Sequence, residues 1–526
     1  MLLAARSAVA LHRLLDAVLV FAGDERVTRL FTLVPGSDFG VDALAAVERI
    51  GGRTVPWSEA LRGSYDLVLS ASPKGDVRLI RGTHVLLPHG AGYSKSLPGE
   101  GSDSASGLDP VFLRRTDLAL HAVAHPDQAA RLVAWDDAAP AKVVGDPTLE
   151  RLLASRPLRD RYRAALGTGS RTLVVLASTW GPESLLHRHP GLAQELAARL
   201  PYDAYQLALV LHPNEHSRLG SYELAQRLAP ACDAGLIIAD PYEEWASLLI
   251  AADALITDHG SAALYYTAAA DRPAVGVHED DGAELIPDSP MHTLLRGIPR
   301  LRDAGALIHA LRAWRPGPGA QAARQAFDRQ GQALDLLRSE LYALLGLTPP
   351  PTPARPRPLP APRPAVRTPA AFDVDTDVTA ADEIRVTRRP AGLGPPGDHL
   401  AAEYDAASEP YIRSAGLLYR RPLPQAPWAA DAWIRHALDA YPGCRTAAAI
   451  LPDGLTLLGT RDRPALHAVR AHPRNEAGRI IHPDPAAVAS AVHTGRQPSH
   501  LRCRIGDRTY DVTVRPATPT ESATPF

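Results

Sequence analysis

The first 346 residues repeat one pattern. Short apolar runs of Val, Leu, Ile and Ala alternate with stretches whose apolar residues return every three or four positions. Runs at 1–5, 27–34, 65–70, 84–87, 118–122 and 142–144 read as strands, and 9–21, 41–50, 127–133 and 148–154 as helices. Within 9–21, Val9, Leu11, Leu14, Leu15, Val18 and Phe21 form a core-facing stripe. His12, Arg13 and Asp16 interrupt that apolar run, which speaks against a signal peptide. A second series starts at Arg171, with strands at 173–177, 206–211, 236–239 and 254–257 and helices at 183–200, 222–228, 242–252 and 262–270. Another strand follows Pro273, and helical periodicity continues through 304–314 and 320–345. Apolar strands alternating with helices form a parallel sheet covered on both faces. The expectation is an α/β protein with two doubly wound, Rossmann-like domains, 1–156 and 157–346.

The alternation then stops. Residues 349–369 hold ten prolines and four arginines but no acidic residue, so 347–370 is expected to be an extended, proline-rich linker. From 371 to 526 the texture is that of a small α+β domain. Strands are expected at 446–450, 456–459 and 501–514, with tight turns at Pro452-Asp453-Gly454 and Gly506-Asp507 and helices at 431–440 and 486–493. Asp373, Asp375 and Asp377 alternate as in a calcium loop, but Val378 and Ile384 stand where that loop needs Gly and Glu.

Length and composition narrow the function. A chain of 526 residues exceeds what one core supports. The net charge of -2 argues against nucleic-acid binding. Cys232, Cys444 and Cys503 lie far apart, which excludes a zinc knuckle or disulfide framework and fits a reducing cytosol. No apolar stretch reaches the roughly 18 residues of a membrane span. Among 56 basic residues only Lys74, Lys95 and Lys142 are lysines, and the first two fall just after expected strands.

Ligands of open α/β domains bind outside the carboxyl ends of the strands. There the chain places Pro88-His89-Gly90-Ala91-Gly92-Tyr93-Ser94-Lys95 in the first half. In the second half it places Ser178-Thr179-Trp180-Gly181, His212-Pro213-Asn214-Glu215-His216, Asp240-Pro241-Tyr242 and Asp258-His259-Gly260-Ser261. His89, beside two glycines, suits a general base or a donor to a developing phosphate charge, or else a turn histidine bonded to its own loop. Lys95 suits a phosphate as a point charge. His212 suits the other side of that phosphate, or a cap on a helix starting at Pro213. The turn at Asp258, Gly260 and Ser261 leaves backbone N–H groups at a helix start, an anion site; the alternative is that Asp258 or Ser261 simply caps the helix. His212 and His216 lack a third ligand, so no metal centre is expected. No dinucleotide fingerprint, P-loop or nucleophile elbow occurs.

In order along 1–345, His89-Gly90-Ala91 with Lys95, His212-Pro213, and Thr257-Asp258-His259-Gly260-Ser261 with Tyr265, Tyr266 and Arg272-Pro273 resemble the motifs of the CDP-glycerol glycerophosphotransferase family. That family has the GT-B fold, shared more distantly by UDP-N-acetylglucosamine 2-epimerases. The resemblance implies a transferase without a resident cofactor. Its substrate would be a nucleotide-activated donor, and its acceptor a hydroxyl on an envelope polymer or a lipid-linked molecule. His89 and His212 would be the catalytic pair. Asp258, Gly260 and Ser261 would hold the donor phosphates, and Lys95, Ser178 and Thr179 at neighbouring strand ends are further candidates for phosphate contact. The resemblance also implies a cytoplasmic protein with peripheral contact to the inner membrane face. Two departures stand out. Ser178-Thr179-Trp180-Gly181 replaces a family segment that carries an Arg, and Gly260 replaces a serine. The alternatives are a nucleotide-sugar epimerase or hydrolase, and a non-catalytic scaffold of the same fold.

Overall fold

The computed structural model describes all residues outside 37–39, 89, 96–116, 136–139, 241, 278–283, 364–366, 381–382, 426–427 and 494–498. Among the described residues, the first sheet has strands β1 (Leu2–Ala5), β2 (Leu30–Leu33), β3 (Ser64–Ser70), β4 (Arg81–Leu86), β5 (Leu118–Val123) and β6 (Ala141–Val143). They are all parallel, in the order β2-β1-β3-β4-β5-β6. The second sheet has β7 (Thr172–Ser178), β8 (Tyr205–Leu211), β9 (Ile237–Ile238), β10 (Ala254–Thr257) and β11 (Ala274–Gly276), parallel in the order β11-β10-β7-β8-β9. Both are doubly wound α/β sheets, as their apolar strands require. In the second sheet the chain first builds outward through β8 and β9, then returns to the other side of β7. The topological switch point therefore lies between the ends of β7 and β10.

Several helix boundaries differ from the periodic reading. Residues 183–200 form two short helices, Leu185–Arg188 and Leu192–Arg199, because Pro190 removes a donor between them. The expected helix at 222–228 is the second part of a longer one, Pro213–Asp233, kinked at Gly220. The stretch 320–345 divides into Pro318–Ala326 and Ala333–Leu344. The last of these helices packs into the core of the first sheet through Leu334, Leu337, Leu341 and Tyr342, and the Tyr342 hydroxyl donates to Asp24 at 2.7 Å.

The C-terminal part closes on itself. Strands β12 (Ala371–Ala380), β13 (Glu383–Pro390), β14 (His399–Glu403), β15 (Leu417–Arg420), β16 (Thr446–Ile450), β17 (Thr456–Thr460) and β18 (Arg463–Ala471) are joined by β21 (His500–Ile505) and β22 (Arg508–Pro516). Together they make a closed barrel, and a separate hairpin of β19 (Arg474–Glu476) and β20 (Arg479–Ile481) stands apart from it. The helix Pro485–His493 shares one core with residues of the barrel strands, and every residue from 486 to 492 is buried. A helix apolar on all sides needs such an enclosed place. Its alternation of Ala with Val keeps it thin enough to fill the barrel.

Two devices join the barrel to the rest. One is Arg388, 1% exposed, whose guanidinium bonds Asp203 of the second domain at 2.6 and 2.9 Å and Asp484 at 2.8 Å. Burial raises the Asp484 carboxyl, but Arg388 and Arg421 overrule it and bring it down to about 2. Asp484 also caps the enclosed helix through the Ala486 N–H. The other device is the proline-rich segment, which is extended as expected but docked along its length. Leu359 is buried, its N–H donates to Ser155 Oγ at 2.9 Å, and its carbonyl accepts from the Tyr162 hydroxyl at 2.8 Å. Further along, the Arg363 N–H donates to Glu244 at 2.6 Å.

Truncating Arg388 leaves Asp203 without its guanidinium and Asp484 with Arg421 alone. Arg388→Ala should cost about 3–5 kcal/mol and release the barrel from the second domain, read as an added early transition in calorimetry. A carboxyl held below its ordinary value of 3.8 contributes stability that is complete above that pH and lost on the way down to about 2. The barrel contact should therefore hold at pH 5 and weaken between about pH 4 and 2. An unchanged profile in the Asp484→Asn protein would contradict this assignment.

Candidate functional site

The carboxyl ends of the two sheets face one another across a cavity of about 210 Å³. One wall comes from Gly90 to Lys95 after β4 and from His12, Arg13 and Asp16 on the helix Ala8–Ala17. The other comes from Ser178, Thr179 and Trp180 after β7, His212 after β8, Tyr242 after β9, and His259, Gly260 and Ser261 after β10. This is the switch point of the second sheet, where open α/β sheets receive ligands.

Asp258 organises that wall. Its buried carboxylate accepts the N–H of Thr179 at 2.8 Å, of Leu185 at 2.7 Å and of Gly260 at 2.8 Å. The acid thus ties the β7 loop to the β10 loop and acts on the cavity through backbone. A side chain at position 260 would sit 3.1 Å from the Asp258 carboxylate and 3.3 Å from Thr179 Cβ, which explains the glycine where the resembled family has serine. Ser178 is likewise a staple: its hydroxyl accepts the Leu186 N–H and donates to the Thr179 carbonyl. Thr179 and Ser261 line the cavity, Ser261 at the cap of the helix Ala262–Ala269.

His212 caps the helix Pro213–Asp233 with Nδ1, which accepts the Asn214 N–H at 3.1 Å. The neutral ring therefore carries its proton on Nε2, as a donor. The cap alternative and the ligand alternative are compatible, because they use opposite ring nitrogens. His89 lies outside the described residues, as do residues 96–116.

Lys95 spans the cleft. Its ammonium pairs with Glu284 at 2.8 Å, donates to the Trp180 carbonyl at 3.1 Å and lies 4.7 Å from the centre of the Trp180 ring. His259 Nε2 approaches the same carboxylate at 3.3 Å. Burial raises the Glu284 carboxyl, but His259 and Lys95 prevail and bring it down to about 2. The Ile286 N–H to Ser94 carbonyl bond, 2.9 Å, reinforces this latch. Gly92, at φ +81°, lets the loop come this close: an added Cβ would meet Pro290 at 3.2 Å and Leu264 at 3.3 Å.

Sequence reasoning missed the contribution of the first helix. His12 stacks on Tyr242 across the cleft, with ring centres 5.7 Å apart and planes inclined 11°. Its Nε2 is buried without a hydrogen-bond partner among the described residues. Burial, with Arg151 nearby, holds the imidazole down to about 4, so it is neutral at physiological pH. Asp16 accepts from Thr148 at 2.7 Å and from Arg151 at 3.0 Å, and Arg13 lies 3.9 Å from Asp146 and over the Tyr265 ring. The available signal was the insertion of three ionisable residues into an otherwise apolar helix. Among the described residues, each Arg or Lys lining the cavity already has a carboxylate: Arg13 with Asp146, Lys95 with Glu284, Arg151 with Asp16. No group of three or more metal-ligating side chains occurs among the described residues, and none of their helices is long and apolar enough to cross a membrane.

Asp258→Asn tests the organising role. An amide offers one acceptor oxygen and turns an N–H donor toward N–H groups. About 1–3 kcal/mol of stability should be lost, with increased amide exchange at 178–186 and 258–262. Unchanged exchange in both loops would refute the tie.

No protein-family model matches the chain, and no curated protein matches it. Solved structures similar to it include the wall teichoic acid polymerase TagF, at 13% identity over 66% of this chain and 88% of that one, TM-score 0.46. They also include Anabaena HepE in complex with UDP and glucose, at 14% identity over 66% of this chain and 99% of that one, TM-score 0.39. A third is S. aureus MnaA with UDP, at 10% identity over 68% of this chain and 99% of that one, TM-score 0.44.

Proposed function

We propose that the cleft belongs to a group-transfer enzyme that takes a nucleotide-activated glycerol or sugar donor and a hydroxyl acceptor. The observation that carries this reading is the switch point itself. Loops after β7, β8 and β10 converge there with a helix start at Ser261 and a histidine whose Nε2–H is set by its own cap. Backbone N–H groups at the helix start and an oriented imidazole suit a leaving nucleotide, a monophosphate if the phosphorus is transferred or a diphosphate if a sugar is, whose charge grows in the transition state. The motif resemblance supplies the rest. His89 would take the proton of the attacking hydroxyl. The acceptor oxygen would bond to the transferred phosphorus or sugar carbon as the bond to the nucleotide phosphate breaks, and His212 with the 260–262 turn would meet the charge left on that phosphate.

One observation favours a second reading. Lys95 and Arg151 are committed to Glu284 and Asp16, and Arg13 lies 3.9 Å from Asp146, which leaves the cavity little cationic capacity for a ligand and suits a protein that keeps the fold for binding or scaffolding.

A thermal-shift titration with UDP and CDP tests the nucleotide site, and turnover of a bound donor with a hydroxyl acceptor separates a transferase from a binding protein. On the transferase reading one of them stabilises the protein, by about 2.7 kcal/mol at roughly a hundredfold excess over Kd. No shift with either sinks it. His212→Asn then isolates the histidine, because Asn is an equally good helix cap. The unliganded melting temperature should stay within a degree or two, while nucleotide affinity falls about tenfold through the lost Nε2–H donor. Equal affinity in the variant would remove His212 from the site.

A further inference from the structure

The proline-rich segment forms part of the cleft wall. Leu359 lines the same cavity as His12, Arg13, Asp16 and Trp245, although about 13 residues separate it from the end of the second α/β domain as read from sequence. The residue is 6% exposed and packs into a core shared by the two domains, with Leu149 and Leu152 of the first and Tyr162 of the second. Both backbone groups of Leu359 are held by buried hydroxyls, Ser155 Oγ and Tyr162 Oη, at 2.9 and 2.8 Å. Two residues earlier, the Arg357 carbonyl accepts from Arg151 Nε at 3.1 Å. The same guanidinium donates through its NH1 nitrogen to Asp16 at 3.0 Å, and Asp16 accepts from Thr148. Arg151, Asp16 and Thr148 all line the cavity. The segment thus touches the cleft directly through Leu359 and indirectly through Arg151. A spacer needs neither contact. Prolines on both sides, Pro358 and Pro360, hold the backbone extended before it docks, so little ordering entropy is lost there.

We infer that Leu359 is a wall of the ligand cleft contributed by the linker, and that the linker's seat, Leu359 on Ser155 and Tyr162 with Arg357 on Arg151, positions Asp16 at the first-domain side of the cavity. The linker is then a specificity element of the cleft as well as the tether of the barrel. The apolar side chain beside paired Arg13 and Asp16 suits a ligand portion that is uncharged there, such as the carbon skeleton of a hydroxyl-bearing acceptor or the non-phosphate end of a donor.

The test compares the full-length wild-type chain with Leu359→Gly, the conservative Leu359→Ile, and Arg367→Ala as a linker control. Arg367 pairs with Asp233 at the surface, away from the cavity. Hydrogen exchange without ligand is the first reading. Leu359→Gly should speed exchange about tenfold in residues 8–17 and 147–155, Leu359→Ile should restore it, and Arg367→Ala should leave those helices unchanged. Faster exchange confined to 349–369 overturns the inference. The second reading, calorimetric affinity for UDP and CDP, depends on the function proposed above. If the wild type binds either, Leu359→Gly should weaken binding about tenfold and Leu359→Ile less than about threefold; equal affinities for all four proteins overturn the wall assignment. If the wild type binds neither nucleotide, the proposed donor is wrong, and the exchange reading alone decides the role of Leu359.

Discussion

A single buried carboxylate gives this cleft its shape. Asp258 sits at the end of β10, and its two oxygens receive three backbone N–H groups from two different loops. A buried carboxylate is costly unless its lone pairs are filled, so the loops after β7 and β10 must converge on it. That convergence aligns Thr179 and Trp180 with Gly260 and Ser261, and it makes a side chain at position 260 a tight fit. The helix start at Ser261 and the cap at His212 then face the opposite domain from fixed positions.

The opposite wall is brought up by contacts that cross the cleft. Lys95 with Glu284 closes one place and His12 with Tyr242 another. The first is a partly buried, charge-assisted pair, and the second an aromatic stack involving an imidazole kept neutral by burial. Together they make the cavity electrically balanced.

The C-terminal half is tied to this arrangement through polar contacts of equal economy. Arg388 joins barrel strand β13 to Asp203 in the second domain and to Asp484 at the start of the enclosed helix. The helix fills the interior of the nine-stranded closed sheet, which side chains of its own strands would fill poorly. The proline-rich segment runs from the first-domain core, where Ala354 packs, past Leu359 at the cleft toward the barrel, so the cleft and the barrel share one continuous support.

Local pattern was enough for the two parallel sheets. Runs such as 173–177 and 206–211 are apolar throughout, and only a sheet covered on both faces accepts them. The turns at the strand ends were legible too, since Gly260 and His212-Pro213 are punctuation that any strand-to-helix junction reveals. What each polar residue does there was not. Asp258 and Ser178 read as candidate ligand groups and proved to be staples, because their partners lie in other loops, 79 residues away in the bond from Thr179 to Asp258. Lys95 read as an available charge, and Glu284, far along the chain, engages it. The Asp16, Arg151 and Leu359 group, the enclosure of 485–493 and the docking of the proline-rich segment all depend on contacts between distant residues. Periodicity reports which face of an element is buried; it carries no information about what is buried against it, and that pairing arises only when the domains pack.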